Sequence, residues 1–197
     1  MIAIIDYGMG NLKSVKKALE FIGQEAVITN DAEVIKAASH VILPGVGAAK
    51  DAMDALHKTG LYDVAKEEAA SGKPFLGICL GMQLMFEYSE EGGHVPCLGI
   101  VKGHVKAFEL SGMRVPHMGW NDIKTADEDI YGKENPYVYF VHSFHAADVP
   151  AENVIATCTY GYEFCAAVRD KNVVGMQYHP EKSGAAGIEM LRRFCAM

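Results

Sequence analysis

Two short stretches carry residue types able to attack a carbonyl and move a proton. Cys79 lies in Phe75-Leu76-Gly77-Ile78-Cys79-Leu80-Gly81-Met82-Gln83, and His179 and Glu181 lie in Gly175-Met176-Gln177-Tyr178-His179-Pro180-Glu181. Gly77-x-Cys79-x-Gly81 has the form of a nucleophile elbow with sulfur in place of the serine oxygen. A sharp turn from strand to helix crowds its neighbours, and a glycine two residues to either side relieves the crowding. The turn would set the thiol at a helix N-terminus, where partial positive charge favours thiolate. Free backbone N–H groups there suit a developing oxyanion. A buried cysteine in a tight, inert turn fits the same pattern equally well.

A nucleophilic thiol needs a base, and the base needs a group to orient it. Of eight histidines, His179 stands at the end of a strong strand pattern. Pro180 pushes it toward extended geometry, and residues i and i+2 of an extended segment share a face. Glu181 is therefore expected beside the imidazole, holding one ring nitrogen and leaving the other for sulfur. The alternative is a strand-end histidine beside a solvated glutamate; the elbow and the His–Glu pair together favour catalysis. Gln83 falls one helical turn after Cys79, on the same side. Its amide, in an otherwise apolar helix, needs partners, either a polar substrate or nearby backbone.

These residues need elements to hold them. Met1 to Asp6 reads as a first strand, followed by a helix with Leu12, Val15, Leu19 and Ile22 on one face, closed by Gly23. Ala26–Ile28 and His40–Leu43 suggest further strands. A helical stretch reaches about Ala70, Pro74–Ile78 gives a fourth strand, and Leu80–Tyr88 reads as a buried helix. This alternation predicts an α/β fold with a central, mostly parallel sheet and helices on both faces. Later runs are strand-like: 100–108, 113–123, 137–146, 154–158, 166–169 and 173–178, which predicts an antiparallel extension before a last helix over 185–197. Three early strands lead into glycine loops, Tyr7-Gly8-Met9-Gly10, Pro44-Gly45-Val46-Gly47 and the elbow itself. In a parallel sheet such loops converge at the carboxyl edge, where ligands bind.

The bulk properties narrow the class. The chain has 197 residues, half of them hydrophobic, and a formal charge of −7, which suits one domain over 1–197. No basic stripe suggests nucleic acid, and no apolar run approaches a membrane span. Met-Ile-Ala-Ile-Ile-Asp-Tyr-Gly lacks the marks of a signal peptide, so a cytoplasmic protein is expected. Five dispersed cysteines without CxxC argue against a disulfide framework or a structural zinc. Cys97, Cys158, Cys165 and Cys195 read as small buried hydrophobes. Gly8-x-Gly10 is only part of a dinucleotide fingerprint, with Lys13 at the third glycine position. No metal and no cofactor are expected.

GICLGMQ followed by HPEKS resembles the class I glutamine amidotransferases over essentially the whole chain, implying their flavodoxin-like fold and a Cys–His–Glu triad. DYGMGNL at 6–12, PGVG at 44–47, PHMGWN at 116–121, YFVHSFH at 139–145 and HPEKS at 179–183 are similar to the glutaminase subunits of imidazole glycerol phosphate synthases. The resemblance implies that Cys79 attacks the carboxamide of glutamine, with Leu80 N–H and an amide of the Val46-Gly47 loop holding the oxyanion. Gln83 and the backbone of His142, Ser143 and Phe144 would hold the amino-acid end; relatives often carry tyrosine where Phe144 stands. It further implies a heterodimer with a cyclase subunit, a (β/α)₈ barrel, and puts Asn11, Met118, Gly119, Trp120 and Lys182 near that interface. On their own chemistry, a lone tryptophan such as Trp120 reads first as core and Asn11 as a helix cap, so the interface roles rest on the resemblance. Other readings are a glutaminase feeding a different synthase, a non-catalytic binding subunit, and a thiol hydrolase of similar architecture.

Overall fold

Alternate residues of the first strand divide the core in two. In β1 (Ile2–Ile5), Ile2 and Ile4 join one apolar cluster, and Ala3 and Ile5 join another on the opposite face of the sheet. That is the period of two that a fully buried strand imposes. A computed structural model describes residues 1–133 and 135–197. After β1 come α1 (Leu12–Phe21), β2 (Ala26–Thr29), α2 (Ala32–Ala37), β3 (His40–Gly45), α3 (Ala49–Thr59), α4 (Leu61–Ala70) and β4 (Phe75–Cys79). Next follow α5 (Leu80–Gln83), β5 (Tyr88–Ser89), β6 (Val95–Pro96), β7 (His104–Ala107), β8 (His117–Asp122), β9 (Lys124–Thr125) and α6 (Glu128–Tyr131). The chain closes with β10 (Tyr137–His142), β11 (Phe144–Ala147), β12 (Val154–Tyr160), β13 (Tyr162–Asp170), β14 (Val173–Met176) and α7 (Gly184–Phe194).

The parallel half of the main sheet runs β2-β1-β3-β4-β14, and β13, β11 and β7 continue it in antiparallel pairing. Helices α1 and α7 cover one face, while α2, α3 and α4 cover the other. Residues of β14 pair with β4 in register, Gly175 with Gly77 and Met176 with Ile78. That parallel pairing carries the segment after Met176 to the elbow, from almost a hundred residues away. Among the described residues no helix is long and apolar enough to cross a membrane.

The fold corrects several expected boundaries. The helix expected over Leu80–Tyr88 stops at Gln83, although Leu80 to Phe86 are all buried as expected. Its continuation is replaced because Leu98 donates its N–H to Leu84 O, which a helix to Tyr88 would have used itself, while Gly99, Ile100 and Val101 donate to Phe86 O and Met85 O. The run 137–146 is two strands in two sheets: among the described residues β10 pairs only with β8, and Ser143 is the step from there onto β11 in the main sheet. The helical stretch before Ala70 is broken at Gly60, whose left-handed φ of 74° ends α3. Strands β7 and β8 occupy only part of the runs 100–108 and 113–123, and α2 and the short β5, β6 and β9 carried no clear periodicity.

Candidate functional site

Cys79 ends β4 and begins α5 with φ 54° and ψ −111°, a conformation that side chains rarely adopt. The turn is possible because its neighbours have no side chains. A Cβ at Gly81 would run into the carbonyl oxygen of Leu43, and one at Gly77 would meet Met85 Sδ and the Gly81 carbonyl. Gly45, abreast of Cys79 on β3, lies so near that a Cβ there would stand 2.7 Å from the Tyr7 hydroxyl. That hydroxyl donates to Pro44 O at 2.9 Å. Burial, with Cys79 adding to it, raises the Tyr7 phenol above its ordinary range, so Tyr7 stays a neutral donor under the loop.

His179 Nδ1 donates to Glu181 Oε1 at 2.8 Å, and both side chains are almost wholly buried. The carboxylate can only accept, so the ring carries its proton on Nδ1. Backbone and Ser183 clamp the pair: His179 N donates to Tyr139 O at 3.0 Å, and Ser183 Oγ donates to His179 O at 2.6 Å. Nε2 makes no hydrogen bond to any described residue, and Cys79 is the group beside it. Burial works to lower the His179 pKa, but Cys79 and Glu181 outweigh it and lift the pKa to about 9. The arrangement favours an imidazolium facing sulfur.

A cavity of about 360 Å³ opens over this pair, and Val46, Gly47, Leu80, Gln83, His142, Ser143 and Phe144 all line it with Cys79 and His179. Glu181 stands behind His179. The spacing argument for Gln83 resolves in both directions. Its Nε2 donates to Phe144 O and to Gln177 Oε1, each at 3.0 Å, while its Oε1 accepts from no described residue. The buried His142 ring pairs with His117, its Nε2 3.0 Å from His117 Nδ1. Burial lowers the His142 pKa to about 3.

Three residues of the site were not singled out from the sequence. Gln177 is fully buried and its Nε2 lies 3.9 Å from Cys79 Sγ. The signal used for Gln83, an amide in an apolar run, would have found it. His117 supports His142 from β8, and nothing in PHMGWN distinguishes it from a surface strand residue. Glu91 also lines the cavity, and its Oε2 accepts from Ala49 N at 2.8 Å at the start of α3. In sequence it sits in Glu90-Glu91-Gly92-Gly93, which reads as a solvated turn.

The remaining candidates lie outside the cavity. Met118 and Trp120 project from β8 and are 61% and 56% exposed, so Trp120 is not core. Trp120 packs edge-on to Tyr139 across the β8–β10 pair, and Lys182 Nζ lies 6.0 Å from the Tyr139 ring. Gly119 lies between Met118 and Trp120 with φ 125°. Asn11 stands at the head of α1 but its side chain caps no backbone N–H; its Oδ1 accepts from Ser14 Oγ at 2.9 Å.

Comparison with known proteins agrees with this architecture. The family model for glutamine amidotransferase class-I matches residues 3–197. The imidazole glycerol phosphate synthase subunit HisH of Oceanobacillus iheyensis is 50% identical, with 98% of each chain covered. The protein of the same name from Rhodopirellula baltica is 50% identical over 98% of this chain and 96% of its own. Among solved structures, a crystal structure of a glutamine amidotransferase matches with a TM-score of 0.79 at 19% identity, covering 99% of this chain and 97% of that one, and so shares the fold. A full-length family match, two relatives at half identity and a cysteine elbow facing a buried His–Glu pair converge on one statement: the chain belongs to the class-I glutamine amidotransferases.

Proposed function

We propose that this chain is the glutaminase subunit of an imidazole glycerol phosphate synthase. It hydrolyses glutamine to glutamate and passes ammonia to a cyclase subunit, a (β/α)₈ barrel. There the ammonia is used to form imidazole glycerol phosphate and aminoimidazole carboxamide ribotide. The full-length relatives carrying the synthase subunit name support the pathway, and the site supports the chemistry.

Cys79 sulfur, as thiolate, attacks the side-chain carboxamide carbon of glutamine and forms a C–S bond. The displaced electron pair rests on the carbonyl oxygen, for which Leu80 N–H at the head of α5 and an N–H of the Val46-Gly47 loop are the donors. The oxyanion collapses, the C–N bond breaks, and His179 Nε2–H protonates the departing nitrogen, which leaves as ammonia. His179, now neutral at Nε2, takes a proton from water as it attacks the thioester. Collapse of the resulting adduct breaks the C–S bond, glutamate leaves, and the Cys79 thiolate is restored beside the reprotonated His179. Glu181 keeps the ring aligned throughout. The free Oε1 of Gln83 and the backbone of 142–144 suit the amino-acid end, and the Glu91 carboxylate at the cavity wall suits an α-ammonium.

The outer face of β8, with Met118 and Trp120 exposed on either side of Gly119, is the apolar surface offered to the cyclase, flanked by Lys182; Asn11 is assigned to the same interface by the family resemblance. The observation that carries the reading is the buried His179–Glu181 pair aimed at the Cys79 elbow. Cys79→Ser, assembled with a cyclase subunit, is expected to lose glutamine-dependent synthesis while keeping synthesis from ammonium salts. Loss of both activities, or retention of both, would overturn it.

A further inference from the structure

Apart from the His179–Glu181 pair, four buried polar side chains near the cavity are joined in series. Leaving such groups in a core is costly unless each is paired, and apolar residues of similar shape would serve packing equally well. His117, His142, Gln83 and Gln177 are 3%, 5%, 5% and 0% exposed, and each has a partner.

The direction of every bond follows from one backbone atom. Phe144 O can only accept, so His142 Nδ1, 2.8 Å away, is the donor. The neutral His142 ring then accepts at Nε2 from His117 Nδ1 at 3.0 Å. His117 Nε2 in turn accepts from Asn121 Nδ2 at 3.3 Å, which also donates to Thr159 O at 3.0 Å. On the other side, the same Phe144 O fixes the Gln83 amide with Nε2 toward it. The second proton of that nitrogen goes to Gln177 Oε1, which leaves Gln177 Nε2 facing Cys79 Sγ at 3.9 Å. His117 is held in plane by Phe140 and Tyr160, stacked at 4.6 and 4.0 Å between centroids.

We propose that Asn121, His117, His142, Gln83 and Gln177 form one relay of two arms, which meet as donors to Phe144 O and position the Cys79 sulfur and the 142–144 backbone together, with Gln177 as its terminal positioning residue. Strand β8 gives the relay an outlet. His117 and Asn121 lie on its inner side, and Met118 and Trp120 alternate with them on the exposed side. A partner pressing on the outer face therefore acts on the strand that anchors the relay.

The proposal rests on Cys79 being the nucleophile, and the experiment separates the two. In long-range proton–nitrogen spectra of the full chain at neutral pH, His117 and His142 are expected as neutral rings protonated on Nδ1, the minor tautomer of free imidazole. A proton on Nε2 of either ring would overturn the relay. Gln177→Met keeps length and bulk but removes the donor. It is expected to slow alkylation of Cys79 by iodoacetamide at pH 7 by about tenfold, the scale of one hydrogen bond to a charged acceptor. In the assembly with the cyclase, kcat for glutamine should fall by a similar factor, with KM within about twofold. Either rate at the wild-type value would overturn the role of Gln177. Asn121→Leu, at the half-exposed far end, is expected to lower kcat at least about twofold; an unchanged kcat would overturn the relay's reach. Wild type unable to hydrolyse glutamine in the assembly would instead sink the reading of Cys79, which neither the spectra nor the alkylation rates depend on.

Discussion

Five thiols share this chain, and their surroundings set four of them apart. Burial pushes Cys97, Cys158 and Cys165 up to about 12 and Cys195 up to about 11. At pH 7 a thiol with a pKa of 12 is thiolate in only about one molecule in 10⁵. Cys79 instead lines the cavity beside His179, whose raised pKa favours an imidazolium partner. Substoichiometric iodoacetamide at pH 7 is expected to label Cys79 ahead of the other four, as read by peptide mass spectrometry. Dominant labelling of any other cysteine would count against the electrostatics described for the site. This much of the site was legible in sequence, because Gly-x-Cys-x-Gly and His-Pro-Glu are local patterns whose geometry follows from neighbouring residues.

At the scale of elements, the elbow depends on how closely β3, β4 and α5 approach. Gly81 is where the approach is tightest, since the atom facing it is a backbone carbonyl that cannot swing aside. Gly81→Ala is expected to destabilise the fold by at least about 1–3 kcal/mol, the range of an overpacked core site, measured by urea unfolding. A variant with wild-type stability would mean that α5 tolerates displacement. Two of the boundary errors at this scale share one cause. Local hydrophobicity marks Leu80–Tyr88 as buried and 137–146 as extended, but it says nothing about which distant N–H groups claim the carbonyls. The 98–101 segment ends α5 early, and the Ser143 step passes the chain between sheets.

For the whole molecule, the buried histidines make stability depend on pH in both directions. His117 and His142 titrate near 6.5 when unfolded but are lowered by burial to about 4 and about 3 when folded. Between those values the unfolded chain takes up protons the folded chain refuses. Their contribution is intact above about pH 6.5 and is lost as pH falls toward 3. His179, raised to about 9, acts oppositely: its stabilisation is present below about pH 6.5 and fades as pH rises through 9. Urea midpoints between pH 4 and 9.5 should therefore fall at both ends, and a flat acid limb would contradict the neutral His117–His142 pair. Trp120, more than half exposed, belongs to this scale too. Trp120→Ala is expected to leave the unfolding midpoint nearly unchanged but to weaken association with the cyclase by about tenfold or more, by titration calorimetry. Unchanged affinity would move the interface elsewhere.

The sequence alone determined the order of β1 to β4 with helix between β1 and β2 and between β3 and β4, the glycine-flanked cysteine at the end of β4 and the His179–Glu181 pairing. Each of these is written in a local pattern, so spacing and side-chain type are enough to propose them, although the close approach of β3 that the elbow glycines permit is not local. Only the tertiary structure decided that Gln177 would reach Cys79, that Glu91 would leave an acidic turn for the cavity wall, and that His142 would pair with His117. Those partnerships join residues 25 to 98 positions apart. Those of Gln177 and His142 follow from the register of β14 against β4 and of β8 against β10, and strand register is a property of the assembled sheet rather than of any one segment.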